Sequence, residues 1–353
     1  MFVEELKNMK EWDDFLKGVP GATFYHCPKW KEVIQRSFGL SPLYLGVRDA
    51  KGKLVGIFPG FILDSIHLKT YCSMPYSDYG GPVIAGHYIK QASLSLLSSL
   101  QSFCSNKGIA YAKICLMDDE LARSFQSSTS FVDSSVGIVE IDLEATPSNF
   151  IWNKVFSKNR RQKIKRLERD GFQVQEARTK SDLRDFYYLY YKNMKYIGAS
   201  PFNYEFMENM WNILYPENLR IWVFGKRRRI GGIAVFKHER RTYWVYVGTD
   251  RELSGQYSVV PHLLWKEIQK AEEEGYRYIS LGSTSSNPRN PHHLQKIGFG
   301  GLFYQQKTMW YPVSSTGRIL IQSRNKGVSV WRTIRDFLPS SIESLLENRL
   351  KRL

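Results

Sequence analysis

Apolar residues in this chain recur at two spacings, and the switches between them mark out its elements. Leu6, Met9, Trp12 and Leu16 share a helical face, which predicts a helix over 4–19, and Pro28 suits the first turn of another reaching about Phe38. The stretch 43–64, interrupted by Asp49-Ala50-Lys51-Gly52, predicts a hairpin. Leu94, Leu96, Leu97 and Leu100 set a helix over about 88–106, followed by a strand at 109–117. An alternating strand at 136–143 is expected to close a first domain. Beyond Ala145-Thr146-Pro147-Ser148 the pattern restarts with helices at 148–156 and 157–170, a strand at 172–177 and an aromatic helix at 181–195. A hairpin at 220–238, a strand at 243–248, a loop at 249–256, a helix ending at Gly275 and a strand at 276–281 follow. In the tail, Ile342, Leu345, Leu346 and Leu350 form one face of a last helix, with Arg349, Lys351 and Arg352 at its end.

The two halves share a plan. LYLGVRDAKGKLVGI around Leu43–Ile57 returns about 176 positions later as RIWVFGKRRRIGGIAVF, with Leu54-Val55-Gly56-Ile57 facing Ile230-Gly231-Gly232-Ile233. Each copy follows an amphipathic helix and precedes a longer helix that runs through Lys-Gly or Glu-Gly into a strand. Such a duplication predicts two related domains, over 1–145 and 146–313, with a basic amphipathic tail over 314–353 that packs on the first domain or lies on a membrane surface.

Composition narrows the class. The 353 residues, 42% hydrophobic and 24% charged, suit two globular domains rather than a disordered chain. No apolar run is long enough for a transmembrane helix, and the N-terminus lacks the order of a secretory signal, which points to the cytoplasm. Cys27, Cys72, Cys104 and Cys115 form no C-x-x-C pair and read as free thiols, and His292-His293 has no acidic or cysteine company, so no metal site is expected. Fifty basic against thirty-four acidic residues give a net charge of +16, concentrated in Lys154–Arg169, the turn Lys226-Arg227-Arg228-Arg229 and the tail. That balance favours anionic partners: phosphates, RNA or acidic lipid.

Four stretches bear chemistry. Lys158, Arg161, Lys165 and Arg169 lie close to one stripe of the 157–170 helix, which either holds a polyphosphate or nucleic acid or is a solvated face. In SMPYSDYGGPV (73–83), Gly80-Gly81 can admit a ligand near the backbone, Tyr76 and Tyr79 can stack on sugars, and Asp78 can accept hydrogen bonds; the alternative is an aromatic turn packed on the sheet. Arg251-Glu252-Leu253-Ser254-Gly255-Gln256-Tyr257 approximates a pyrophosphate cradle, one residue longer than Q/R-x-x-G-x-G/A and with Tyr257 at a small-residue position. Finally LGSTSSNPRNPHHLQKIGFG (281–300) is a polar loop after a central strand, ending in Lys296 and Gly298-Phe299-Gly300.

The repeated strand–helix–strand order resembles the GNAT fold of N-acyltransferases, and two such domains in tandem resemble the Fem family of aminoacyltransferases, in particular the FemAB-like proteins. SMPYSDYGGPV, the basic leader SKNRRQKIKRLERDGFQV, Gly198-Ala199-Ser200-Pro201, WVYVGT (244–249) and the 281–300 loop carry the resemblance, in order, across about residues 20–312. The positions of an arginine and a tyrosine near the G-[TS]-P element are occupied by Phe202 and Phe206, and Lys31 follows Trp30 directly. The resemblance implies an α+β protein of two tandem GNAT-like domains, mixed sheets flanked by helices. It implies transfer of an acyl or aminoacyl group from aminoacyl-tRNA or acyl-CoA to an amine of a phosphorylated cell-envelope or polysaccharide precursor.

Lys296 aligns with a lysine that Fem enzymes place beside the acyl group, where a fixed ammonium would stabilise the oxyanion. Tyr246 and Ser283 would line the channel, with Asp78, Tyr246 or the substrate itself taking the proton. Tyr76, Tyr79, Gly80 and Gly81 would position the acceptor, and Lys158, Arg161, Lys165 and Arg289 would hold phosphates or substrate. The rival readings are an acetyl-CoA-dependent N-acyltransferase of amino sugars and a non-catalytic RNA- or membrane-binding protein.

Overall fold

The computed structural model describes residues 1–65, 68–126 and 131–325; the helix expected over Ile342–Leu350 lies outside them. The described residues form two compact units, one from Met1–Val136 with Gln305–Asn325, the other from Gly137–Tyr304. The elements of the first part of the chain are β1 (Phe2–Glu5), α1 (Met9–Leu16), α2 (Pro28–Phe38), β2 (Ser41–Pro42), β3 (Leu45–Arg48), β4 (Leu54–Phe58), β5 (Phe61–Ser65), β6 (Leu68–Cys72) and β7 (Val83–Ile84). There follow α3 (Ile89–Asn106), β8 (Ile109–Leu116), α4 (Asp119–Gln126), β9 (Phe131–Asp133) and β10 (Val136–Asp142). Next come α5 (Ser148–Phe150, continued as a wider turn over Ile151–Val155), α6 (Lys158–Arg169), β11 (Gln173–Glu176), α7 (Lys180–Tyr196), α8 (Tyr204–Leu214), β12 (Leu219–Gly225), β13 (Arg229–His238) and β14 (Arg241–Thr249). The rest is α9 (Arg251–Tyr257), α10 (Val259–Glu273), β15 (Tyr278–Ser285), α11 (Pro291–Ile297), β16 (Leu302–Gln305), β17 (Lys307–Pro312) and α12 (Ser315–Asn325).

The first unit carries a four-stranded sheet in the order β1-β3-β4-β7 and a six-stranded sheet in the order β2-β5-β6-β8-β17-β9. The second carries one seven-stranded sheet, β11-β12-β13-β14-β15-β10-β16. The duplication extends to register: Val47 pairs with Gly56 in the first hairpin and Val223 with Gly232 in the second, the same offset in both copies. The α+β class and the tandem arrangement follow.

Two strands cross the expected domain limits of 145/146 and 313/314. The 136–143 strand does not close the first domain; as β10 it lies between β15 and β16, with Val139 and Ile141 buried beside Ile279 and Leu281. In return β17 inserts between β8 and β9, burying Met309 and Tyr311 in the first unit's core. Alternation fixes that a strand has a buried face, not which core receives it. The expected helix over 4–19 begins late: residues 4 and 5 belong to β1, which pairs with β3, and α1 starts only after Asn8 caps it, its side chain accepting from Lys10 and Glu11 backbone N–H groups. The stretch 249–256 is not wholly loop: α9 occupies most of it.

The second unit's two helical layers approach the sheet through glycines. A Cβ on Gly248 would lie 2.5 Å from the Tyr190 backbone nitrogen, and one on Gly232 2.9 Å from the Phe186 ring, so α7 rests on this paired glycine platform. On α10, Glu267 is buried with Arg220 (3.3 Å) and the Trp222 indole N–H (2.6 Å), and Arg220 also pairs with Glu274. A buried charge is tolerated here because partners meet it on two sides. Among the described residues the four cysteines are free, burial pushing the Cys72 and Cys104 thiols up to about 12.

Candidate active site

The second unit opens where β14 and β15 part. They run parallel, yet pair only at Arg241–Tyr278, Thr242–Ile279 and Tyr243–Ser280, although they are nine and eight residues long. Against β13, Ala234 faces Tyr246 and Val235 faces Trp244, which leaves Val245 as an inserted residue. A bulge twists its strand and re-aims the side chains beyond it. Here it falls just past the last paired position, so it drives the two strands apart into a wedge. Three buried side-chain polar atoms without partners stand on or just past the splayed stretches: Trp244 Nε1, Asp250 Oδ1 and Thr284 Oγ1.

Tyr246 follows the bulge and is half-buried. Tyr190, Phe202, Phe206 and Phe236 meet its ring edge-on, with centroids at 5.9, 5.7, 5.7 and 6.3 Å. The Phe202 backbone N–H donates to the Tyr190 hydroxyl (3.2 Å), and the Tyr187 hydroxyl donates to the Phe202 carbonyl (3.3 Å), which fixes the loop before α8 against α7. The end of β14 is held by a residue the motif reading passed over. Asn193, buried on α7, donates to the Val247 carbonyl (3.1 Å) and accepts from the Thr249 hydroxyl (3.1 Å) and Arg251 Nε (2.6 Å). Its signal in the sequence is a lone amide on the otherwise apolar stripe Leu183, Phe186, Leu189, Tyr190.

Lys296 reaches the other arm of the wedge. Asn290 caps α11 by accepting from the His292 and His293 backbone N–H groups, Pro291 opens the helix, and Lys296 stands in its last turn. Its ammonium donates to the Ser283 carbonyl on β15 at 2.7 Å, beyond the last paired position, in a bond exposed to solvent. His293 bonds the Ser285 carbonyl (2.9 Å) and ties the same helix to the same strand. Ser283 belongs to β15 rather than to the loop after it, and its side chain is exposed. Arg289 is exposed in the turn before α11.

The basic helix is only partly a stripe for ligands. Arg161 donates to the carbonyls of Trp152, Asn153 and Phe156 at 2.7–3.1 Å and so closes the preceding helical turn, which takes it out of the expected phosphate row. Lys158 and Lys165 remain exposed, the latter over the Trp152 ring at 5.9 Å. Arg160, not singled out in the sequence, lies over Phe299 at 4.5 Å and donates to the Gly298 carbonyl (2.7 Å), joining α6 to the end of the helix that carries Lys296.

In the first unit, 73–83 is a tightly tied loop. Ser73 bridges to β8 through its N–H to the Lys113 carbonyl and its hydroxyl to the Cys115 N–H, both 2.9 Å. Met74 and Tyr76 adopt left-handed φ values of 52° and 61°, a strained choice for these residues. Tyr76 stacks on Phe38 at 4.1 Å; Trp30 Nε1 donates to Ser77 Oγ (2.9 Å) and the Tyr25 hydroxyl to Asp78 (3.0 Å).

The expected roles of three residues change here. A Cβ on Gly80 would meet Met74 at 2.5 Å and one on Gly81 would press into the Cys115 carbonyl, so both glycines serve the loop's own packing rather than a ligand's approach. Tyr79 is buried edge-on to Tyr25 and is not presented for stacking on a sugar. Tyr76 and Asp78 stay partly open. The structure thus gathers Tyr246, Ser283 and Lys296 on the arms of one wedge, sets Lys158, Arg161 and Lys165 on α6 and Arg289 in the turn before α11, and keeps the 73–83 residues in the other unit.

Residues 154–287 match the family described as "Acetyltransferase (GNAT) domain". No curated protein matches the sequence. Among solved structures, FemX is similar at a TM-score of 0.70 with 12% identity, covering 87% of this chain and 97% of that one. A tandem GNAT protein from the clavulanic acid biosynthesis pathway is similar at 0.57 with 9% identity (87% and 94% covered), and L-PGS from Bacillus licheniformis at 0.53 with 11% identity (80% and 88%). At such identities the structural likeness speaks to the fold, which is that of tandem GNAT proteins and of a Fem aminoacyltransferase. The family match adds the class: the chain is a transferase whose second unit carries an acyltransferase domain.

Proposed function

We propose that the second unit transfers an acyl or aminoacyl group from an activated donor to an amine of a cell-envelope or polysaccharide precursor. The observation that carries this reading is the wedge itself: a parallel pair parted by the Val245 bulge, with the Lys296 ammonium held against Ser283 on one arm. The amine nitrogen attacks the ester carbonyl carbon, a C–N bond forms, the C–O bond breaks, the amine loses a proton and the departing oxygen gains one. Charge collects on the carbonyl oxygen in between, and the Lys296 ammonium, held on the wedge by the Ser283 carbonyl, is the cation that meets it. Tyr246, steadied by its aromatic collar, lines the opposite arm, and no covalent enzyme intermediate is required. Lys158, Lys165 and Arg289 serve as contacts for phosphate.

The donor favoured is aminoacyl-tRNA. At the start of α9, Asp250 places a buried carboxylate beside the end of β14, and Tyr257 fills a position where a pyrophosphate cradle takes a small residue. The GNAT family match favours acyl-CoA as the second reading. Calorimetry with coenzyme A, beside a transfer assay from aminoacyl-tRNA to an amine-bearing precursor, separates the two. Transfer from tRNA without a coenzyme A heat is expected, and Lys296→Ala should slow it about a hundredfold. Unchanged turnover in Lys296→Ala would remove that lysine from the chemistry, and tight coenzyme A binding would replace the donor.

A further inference from the structure

The outer face of α7 is the most apolar exposed strip of the second unit, and it does not serve the wedge. Of thirteen large hydrophobic residues exposed among the described ones, four fall within ten positions: Tyr188 at 60%, Tyr191 at 41%, Tyr196 at 73% and Ile197 at 53%. Tyr188, Tyr191, Lys192, Lys195 and Tyr196 recur at intervals of three and four, so they form one stripe, while Leu183, Phe186, Leu189, Tyr190 and Asn193 face inward. Each exposed ring carries a cation: Lys192 over Tyr188 at 5.5 Å, Lys195 over Tyr191 at 5.7 Å and Arg251 over Tyr196 at 5.6 Å. Of the charged residues of α7, Lys180, Arg184, Lys192 and Lys195 are exposed against Asp185 alone.

We infer that this face docks the protein on an anionic lipid bilayer. Tyrosine bodies and an isoleucine suit the boundary between headgroups and acyl chains, and lysines lying along them can turn their ammonium groups to lipid phosphates. The strip from Tyr188 to Ile197 covers about 14 Å of a helix that is about 25 Å long, and such a helix can lie in the plane of an interface. A single-stranded nucleic acid fits less well. Stacked bases need open ring faces; each tyrosine here already has one face taken by a cation, and Ile197 offers no stacking plane. The sign of the charge on the strip, like that of the whole chain, complements acidic lipid.

The test is flotation of the full-length chain with vesicles of phosphatidylcholine alone and of phosphatidylcholine mixed with phosphatidylglycerol. Binding to the mixed vesicles only, weakened at high salt, is expected. Lys192→Gln with Lys195→Gln should lower partitioning roughly 30-fold, since each cation near an anionic surface contributes about a factor of five. Tyr188→Ser, Tyr191→Ser and Tyr196→Ser together should abolish it; all five positions are exposed, and unchanged thermal midpoints check that the fold survives. The proposal is overturned if the wild-type chain ignores anionic vesicles or if both variants still bind, which would assign the contact elsewhere. It is equally overturned if the same variants lose binding to an RNA oligonucleotide while the vesicle arm stays blank.

Discussion

Asn193 accepts a 2.6 Å hydrogen bond from Arg251 Nε while its own amide donates to the Val247 carbonyl, so one buried side chain ties α7 to the β14 arm of the wedge and to the helix that follows it. Asn193→Leu keeps the volume and removes every one of these bonds. The expected outcome is a loss of about 2–3 kcal/mol, because the Thr249 hydroxyl and the Val247 carbonyl are left without partners in the interior. Urea denaturation measures it. A loss below about 0.5 kcal/mol would mean the network holds nothing in place.

The paired glycines make a sharper prediction. At Gly248 the atoms an added Cβ would meet are backbone atoms of Leu189 and Tyr190, at 2.9 and 2.5 Å, and backbone cannot swing aside. Gly248→Ala should therefore cost about 3 kcal/mol or more and shift α7 outward. Gly86→Ala, where nothing stands within 4 Å, is the matched control. Equal thermal midpoints for the two variants would refute the close approach of α7.

Arg161 separates a structural cation from a ligand-binding one. Its guanidinium satisfies three carbonyls that end the 148–155 helical turn. Arg161→Leu should cost about 1–2 kcal/mol, whereas Lys158→Ala, at an exposed position, should stay within about 0.5 kcal/mol. Chemical denaturation of both variants checks the contrast. If Arg161→Leu were neutral for stability, the guanidinium would be free for a phosphate after all.

Much of this was readable before any coordinates. The helices at Pro28–Phe38, Ile89–Asn106 and Lys158–Arg169 follow from apolar spacing and end near their expected positions, and the repeated hairpin keeps its offset down to the Val47–Gly56 and Val223–Gly232 pairs. The exchange of β10 and β17 was not readable, since an alternating strand reads the same whichever sheet takes it. The wedge could be anticipated only by resemblance, because the Val245 bulge leaves no mark in WVYVGT. Glycines misled for a physical reason: Gly80 and Gly81 read as room for a ligand, and the room is filled by Met74 and β8. Asn193 and Arg160 were passed over because each acts through backbone carbonyls that sequence spacing does not bring together.

His262 supplies the pH dependence. It is buried on α10 against Phe224, with ring centroids 5.0 Å apart, and neither ring nitrogen has a hydrogen-bond partner. Burial lowers its pKa from 6.5 to about 4. Between those values the unfolded chain binds a proton that the folded chain refuses, so stability falls as pH is lowered through the window and levels off below it. The expected loss is about 2 kcal/mol between about pH 7 and about pH 5. Phenylalanine at this position can carry no such proton, so His262→Phe should flatten that part of the profile while the carboxylate contributions at lower pH persist. Urea midpoints of the two chains across the window decide the matter, and parallel profiles would mean that the imidazole is protonated in the folded state as readily as in water.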